Sequence, residues 1–292
     1  MACTMTIPDY NSPAALKAIL DANGFSMQKK FGQNFLVTAS ARERIVRALE
    51  IEGGMRVWEI GPGLGSMTKL LLDEGSRVTA FEIDKGFIRL LSDFFKAEIE
   101  SGALTIARGD AVKTWKSVYE ASGLPDRFFG NLPYSIAASL IADTIERGVR
   151  FDRAVVTVQK EVAERMTAKE GGSERSSFSV LCQWAYDIKP IADLAPGNFW
   201  PKPHVASRAV VMTKKSDFPS CENPQLFIKM QRSLFSSRRK NIRNNLTAFA
   251  GSGEKAERAI SLSALDPSLR AEALSLAELL RLSDALNRAI LS

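Results

Sequence analysis

Asn131, Leu132, Pro133 and Tyr134 follow directly on an apolar run, Arg127-Phe128-Phe129-Gly130, that reads as a buried strand. The exocyclic amine of a nucleobase is a weak nucleophile because its lone pair is delocalised into the ring. An enzyme that alkylates it needs fixed acceptors for its two N–H bonds, and the Asn131 side-chain oxygen and the Leu132 carbonyl can supply both. Pro133 stiffens the turn through its locked φ, and Tyr134 offers an aromatic face on which a base can stack. These four candidate catalytic residues point to methyl transfer onto N6 of an adenine in a nucleic acid.

A second turn, Gly61-Pro62-Gly63-Leu64-Gly65, lies between an apolar strand and an amphipathic helix. Gly61 and Gly63 let the backbone approach a ligand, and the helix N-terminus offers free N–H groups. The dinucleotide fingerprint needs its third glycine where Ser66 stands, so phosphate cradling is disfavoured, and a tight turn without a ligand is the alternative for this element alone. The next strand ends at Glu82, whose carboxylate can accept bonds from both hydroxyls of a ribose. Gly109-Asp110 follow the third strand and Asn131 the fourth. Asp and Asn are ordinary turn formers. Four such turns after successive parallel strands nevertheless share one rim of a sheet, where doubly wound folds bind ligands.

The elements that position these residues alternate. Strands are predicted over 56–60, 77–82, 104–107, 127–130 and 153–159, with helices over 66–74, 86–98, 135–146 and 161–168. Such alternation specifies an α/β fold, a doubly wound and mostly parallel sheet covered on both faces. Two later β-like runs, 183–194 and 207–214, have no helix between them and read as antiparallel additions at one edge. Upstream, Ser12-Pro13 starts a short helix over 14–21, residues 28–36 read as a polar loop, and 39–49 as a helix. Lys29, Lys30 and Gly32 suit either a flexible arm over the cofactor or a plain exposed loop. The polar stretch 215–222 marks a boundary. It separates a catalytic domain over 1–215 from a helical domain over 216–292. In the latter Asn223-Pro224 caps a helix to about 236, a basic helix runs to about 250, and Ser275-Leu276-Ala277-Glu278 is a capping box for the last helix.

Composition narrows the classes. The 292 residues are 45% hydrophobic and 25% charged, enough for two cores, and the formal net charge is +6. Between Glu222 and Glu254 no acidic residue occurs, while Lys229, Arg232, Arg238, Arg239, Lys240 and Arg243 supply six cations. This local asymmetry favours a docking face for a polyanion; a solvated helix face is the bland alternative. Cys3, Cys182 and Cys221 have neither disulfide nor zinc spacing, so a reducing cytoplasm is expected and no metal. His204 is the only histidine, which removes Ser-His and Cys-His catalysis unless that residue takes part. Neither a targeting segment nor a membrane span is visible.

Taken together, these residues resemble the bacterial small-subunit (16S) rRNA adenine N6,N6-dimethyltransferases. The resemblance runs through Lys30-Phe31-Gly32-Gln33-Asn34-Phe35-Leu36, Glu59-Ile60-Gly61-Pro62-Gly63-Leu64-Gly65, Glu82-Ile83-Asp84, Gly109-Asp110, Asn131-Leu132-Pro133-Tyr134, Phe199-Trp200-Pro201-Lys202-Pro203 and Arg238-Arg239-Lys240. It implies that S-adenosylmethionine is held by Asn34, Leu36, Gly61, Glu82 on the ribose, Asp110 on the adenine, and Asn131. It also implies that the target adenine is extruded, stacked between Tyr134 and Phe199, and methylated twice on N6. The implied substrate is 16S rRNA in an immature 30S subunit, docked through Arg238, Arg239 and Lys240; nothing in the sequence demands more than a monomer. Ser176-Ser177 departs from the family, which often carries Tyr-Gly there. The alternatives are the related resistance-type 23S rRNA methylase, which usually has Phe where Tyr134 stands, and a non-catalytic assembly factor. A nicotinamide oxidoreductase is disfavoured by Ser66.

Overall fold

The computed structural model describes residues 6–25, 34–131 and 134–291, without the side chains of Tyr134 and Ser135. Leu132, Pro133, the Tyr134 ring, Lys29, Lys30 and Gly32 therefore lie outside the described residues. The chain forms two compact units. One comprises Met1–Leu140, Phe151–Ala163 and Lys189–Lys214, the other Ile141–Arg150, Glu164–Ile188 and Lys215–Ser292. The chain thus divides more finely than a single cut after 215, because two inner stretches cluster with the C-terminal helices.

The chain opens with α1 (Pro13–Ala22), capped by Ser12, then β1 (Phe35–Leu36) and α2 (Ala39–Leu49). Next come β2 (Arg56–Ile60), α3 (Ser66–Asp73), β3 (Arg77–Glu82), α4 (Lys85–Phe94), α5 (Lys96–Glu100), β4 (Leu104–Arg108), α6 (Ala111–Ser122) and β5 (Arg127–Asn131). It continues with α7 (Tyr134–Glu146), β6 (Arg153–Gln159), α8 (Lys160–Met166), α9 (Ser177–Ala185), β7 (Tyr186–Leu194), β8 (Phe199–Trp200) and β9 (Ser207–Lys214). The main sheet has the order β4-β3-β2-β5-β6-β9-β7. The first five of these strands pair in parallel, and β9 runs antiparallel to β6.

The interior strands explain the pattern. β6 buries five of its seven residues in a row, and β5 buries Phe128, Phe129 and Gly130. Strands covered on both faces lose the period-2 alternation and become continuous apolar runs. Leu49, Val57, Leu71, Ala80, Leu90, Phe129 and Val155 are core residues of the first unit.

Four local expectations change. Phe35 and Leu36 form a buried strand, since their backbone pairs with Trp200 and Phe199, a partner far away in sequence. The expected helix over 86–98 breaks at Phe95, whose fully buried ring reaches the glycine turn. A helix not foreseen, α6, follows Asp110, whose carboxylate caps it through the Val112 N–H. Finally, residues 183–185 belong to α9, which starts in a Ser176–Ser179 capping box.

In the second unit, α10 (Pro224–Ser236) is followed by α11 (Ile242–Ala250), α12 (Gly253–Leu262) and α13 (Leu276–Leu291). Phe227, Leu234, Leu246, Ala259, Leu279 and Leu286 are buried here. The Ser275 hydroxyl accepts from the Glu278 N–H at 3.2 Å while the Glu278 carboxylate accepts from the Ser275 N–H at 2.8 Å, completing the expected capping box.

Candidate functional site

Parallel pairing in register carries the ends of β2, β3, β4 and β5 to one rim, which brings Gly61, Glu82, Asp110 and Asn131 together. Gly61 and Gly63 have φ of 71° and 58°, a region side chains rarely adopt. A Cβ on Gly63 would lie 2.8 Å from the Phe35 ring, and one on Gly61 would sit 3.7 Å from the Asn131 carbonyl oxygen. The positive φ favours glycine at both positions, and at Gly63 the close approach of the Phe35 ring requires it as well.

Glu82 is buried and fixed by three backbone donors: Gly63 N–H at 3.2 Å on Oε2, and Ile83 and Asp84 N–H at 2.8 and 2.9 Å on Oε1. Burial raises its pKa, and those N–H bonds oppose the shift. Two carboxylate oxygens offer about four acceptor sites, and with three taken by backbone N–H groups one remains, on Oε2, for a hydroxyl donor. A second carboxyl, Glu59, is fully buried beside it and accepts from the Thr68 hydroxyl at 2.6 Å. Desolvation above all, with the neighbouring Glu82 charge adding to it, raises Glu59 to about 8. At neutral pH Glu59 is then a neutral carboxyl.

The Asn131 Nδ2 donates to the Asn34 carbonyl at 3.1 Å. This bond aims the amide so that its oxygen is turned to accept from elsewhere. The Asn34 segment is in turn tied down by β1, whose Leu36 pairs with Phe199 of β8. A cavity of about 780 Å³ results, and Asn34, Leu36, Gly61, Gly63, Glu82, Asp110, Asn131 and Phe199 all line it. Phe199 is buried in the core as well as lining the cavity. Ile83 and Val205, which sequence reasoning missed, are exposed apolar residues on the same lining. Ile83 directly follows Glu82, and an apolar residue set between Glu82 and Asp84 at a strand end was the signal available for it. Asp110 spends one oxygen on capping α6 and still faces the cavity.

These features fit a nucleoside. A backbone-held carboxylate suits a ribose hydroxyl, an apolar face beside it suits a flat base, and the glycine cradle admits close approach. Among the described residues no cluster of His, Cys, Asp or Glu is placed to hold a metal, and no helix is long and apolar enough to cross a membrane.

Arg238, Arg239 and Lys240 form no helix face. They lie exposed in the turn between α10 and α11. Buried Asn245 shapes that turn by donating to the Leu234 and Ser237 carbonyls at 2.9 and 3.2 Å, and Asn241 caps α11 through the Asn244 N–H. Within the second unit Arg232 pairs with Glu146 and Arg243 with Glu257, so two of the run's six cations are neutralised.

A family model described as ribosomal RNA adenine dimethylase matches residues 24–288. The chain belongs to the ribosomal RNA adenine dimethylase family. Among its relatives, the ribosomal RNA small subunit methyltransferase A of Treponema denticola is 49% identical over 95% of both chains. The protein of that name from Treponema pallidum is 44% identical over 98% of this chain and 100% of its own length. The crystal structure of a dimethyladenosine transferase from Plasmodium falciparum aligns with a TM-score of 0.70 at 25% identity, covering 86% of this chain and 97% of that one. The 23S rRNA methyltransferase ErmE aligns at a TM-score of 0.62 and 20% identity, over 86% of this chain and 99% of its own, which speaks to the shared fold alone. The family's members are methyltransferases on a Rossmann-like α/β fold, and this chain is an enzyme of that class.

Proposed function

We propose that the protein transfers methyl groups from S-adenosylmethionine to N6 of two adjacent adenosines near the 3′ end of 16S rRNA, giving N6,N6-dimethyladenosine during small-subunit assembly. The observation that carries this reading is the Asn131 amide, tied by its NH₂ group to the Asn34 carbonyl and thereby left with its oxygen as an acceptor on the cavity of Glu82 and Gly61. S-adenosylmethionine would supply a methyl group already activated on a sulfonium, so placement of the acceptor dominates the chemistry.

Glu82 would hold the ribose, Asp110 the adenine edge, and Gly61, Gly63, Asn34 and Leu36 the close-packed walls. Asn131 and the Leu132 carbonyl would accept the two amine hydrogens and turn the nitrogen lone pair out of the ring plane toward the methyl carbon. One amine proton is released to solvent with each transfer. After the first, one N–H remains, and the amine rotates before the second. Tyr134 and Phe199 would stack on the extruded base; aromatic faces worth about 1–3 kcal/mol each offset the cost of extrusion. Arg238, Arg239 and Lys240 would contact RNA phosphates. The protein would act in the cytoplasm as a monomer on the immature 30S particle. Names of the near relatives favour the small subunit over the 23S substrate named for ErmE.

Incubation with radiolabelled S-adenosylmethionine and immature 30S particles tests the reading. Label is expected in N6 of adenine in 16S rRNA; label elsewhere, or none, overturns it.

A further inference from the structure

Tyr10 and Arg42 belong to none of the sequence motifs, and neither lines the cavity. Both are buried in the first unit. The Arg42 guanidinium donates to the Leu36 carbonyl at 2.8 Å, the Tyr10 carbonyl at 3.3 Å and the Asn11 side-chain oxygen at 2.8 Å. All three acceptors are neutral. A cation buried this way is costly compared with an apolar side chain of similar volume. The planar fork of Arg42, however, sets Nη1 on the Leu36 and Tyr10 carbonyls and Nη2 on Asn11, joining oxygens from two separate chain segments at once.

The Tyr10 hydroxyl completes the connection by donating to the Leu64 carbonyl at 2.8 Å. Leu64 lies between Gly63 and Gly65, so this bond lands on the glycine turn, while the Arg42 bond lands on the strand residue Leu36. Both ends therefore attach to backbone that carries cavity wall: Leu36 on one side, Gly61 and Gly63 on the other. The intervening segment is itself fixed. Asn11 N–H donates to the Asp9 carboxylate at 2.9 Å, Ser12 caps α1, and Leu16 and Leu20 of α1 are buried in the core.

We infer that Tyr10, Asn11 and Arg42 form a latch, buried at Tyr10 and Arg42, that holds Leu36 against the glycine turn, so that the N-terminal segment sets cofactor affinity without touching the cofactor. The inference rests on the proposed binding of S-adenosylmethionine in the cavity. Linkage makes it reciprocal: if the latched segment favours cofactor, bound cofactor must favour the latched segment. Tyr10 and Arg42 are positioning residues.

Tyr10→Phe keeps the ring in the core and removes only the hydroxyl. S-adenosylhomocysteine binding is measured by calorimetry for the wild type, Tyr10→Phe, Arg42→Lys and Arg42→Met, together with hydrogen exchange over residues 6–25. Tyr10→Phe is expected to weaken binding by about fivefold or more, the lower end of ordinary coupling between sites. Arg42→Met should lose more, and Arg42→Lys should recover part, since an ammonium keeps some bonds without the fork. Turnover at saturating S-adenosylmethionine should stay within about twofold of wild type, and the ligand should slow exchange in α1 of the wild type more than of Tyr10→Phe. Unchanged affinity in Tyr10→Phe with a lower melting temperature would mean that the segment only packs, and overturns the latch alone. Wild-type protein that binds no S-adenosylhomocysteine overturns the cofactor reading and the latch with it.

Discussion

The rim of the sheet and the turn between α10 and α11 use polar groups in opposite ways. At the rim, Glu82 is fixed by three backbone N–H groups, Asn131 by a backbone carbonyl, and Glu59 by a hydroxyl in full burial. In the turn, Arg238, Arg239 and Lys240 are exposed; Asn245 fixes the backbone beneath them, and of their charged ends the Arg238 guanidinium donates to the Ser173 carbonyl. A site of the first kind recognises by geometry, because each group is preorganised and a missing atom leaves a buried partner unsatisfied. A surface of the second kind recognises by charge, with contributions that sum over many phosphates and fade with salt.

The sharpest way to break this contrast is Asn131→Ala, expected to lower methyl transfer about 10²- to 10³-fold, as loss of a preorganised polar group in an active site does. Its melting temperature should stay near that of the wild type. Asn131→Asp should also fail, since it keeps an acceptor but sets a carboxylate oxygen against the Asn34 carbonyl; retained turnover in Asp would discard the orientation argument. Next in size, Glu82→Gln should weaken S-adenosylhomocysteine binding by roughly tenfold to a hundredfold in a titration, the range for losing a hydrogen bond to a charged group. In the turn, replacing Arg238, Arg239 and Lys240 by Ala should flatten the dependence of log K on log salt by about 0.7 to 0.9 for each RNA phosphate no longer neutralised. An unchanged slope would make this surface a solvated one.

A further prediction concerns pH. Glu59 in the folded protein holds its proton to about 8, whereas its ordinary value is 4.5. Between those values the folded state binds more protons than the unfolded chain, so stability falls as pH rises from 4.5 toward 8 and levels off outside that window. Glu59→Gln, which keeps an acceptor for Thr68, should flatten that slope in melting curves taken across the window. An equal slope in the variant would assign the dependence to other groups.

The sequence already displayed the strand ends and the residues on them. β5 carries Phe128–Gly130 and β6 Ala154–Val156 as apolar runs, and β2 is apolar at Val57, Trp58 and Ile60 with Glu59 between, a pattern that survives reading one residue at a time. What escaped depends on distant partners. Phe35–Leu36 is a strand only because Phe199–Trp200 pairs with it, and neither pair of residues is long enough to signal alone. Phe95 breaks its helix where its ring packs against the glycine turn. The basic run looked like a helix face because nothing local announced that Asn245 would hold 237–241 in a turn. Tyr10 and Arg42 sit 32 positions apart and read as ordinary residues until their hydrogen bonds are seen.

The central claim is that one cavity presents an activated methyl group to the amine held by Asn131. It is tested most directly by nucleoside mass spectrometry of 16S rRNA from cells lacking this protein, before and after incubation of their small subunits with the purified enzyme and S-adenosylmethionine. N6,N6-dimethyladenosine should be absent before and present at two adjacent positions after wild-type treatment, with Asn131→Ala leaving it absent. Dimethyladenosine already present at those positions, or formed equally well by Asn131→Ala, would contradict the account.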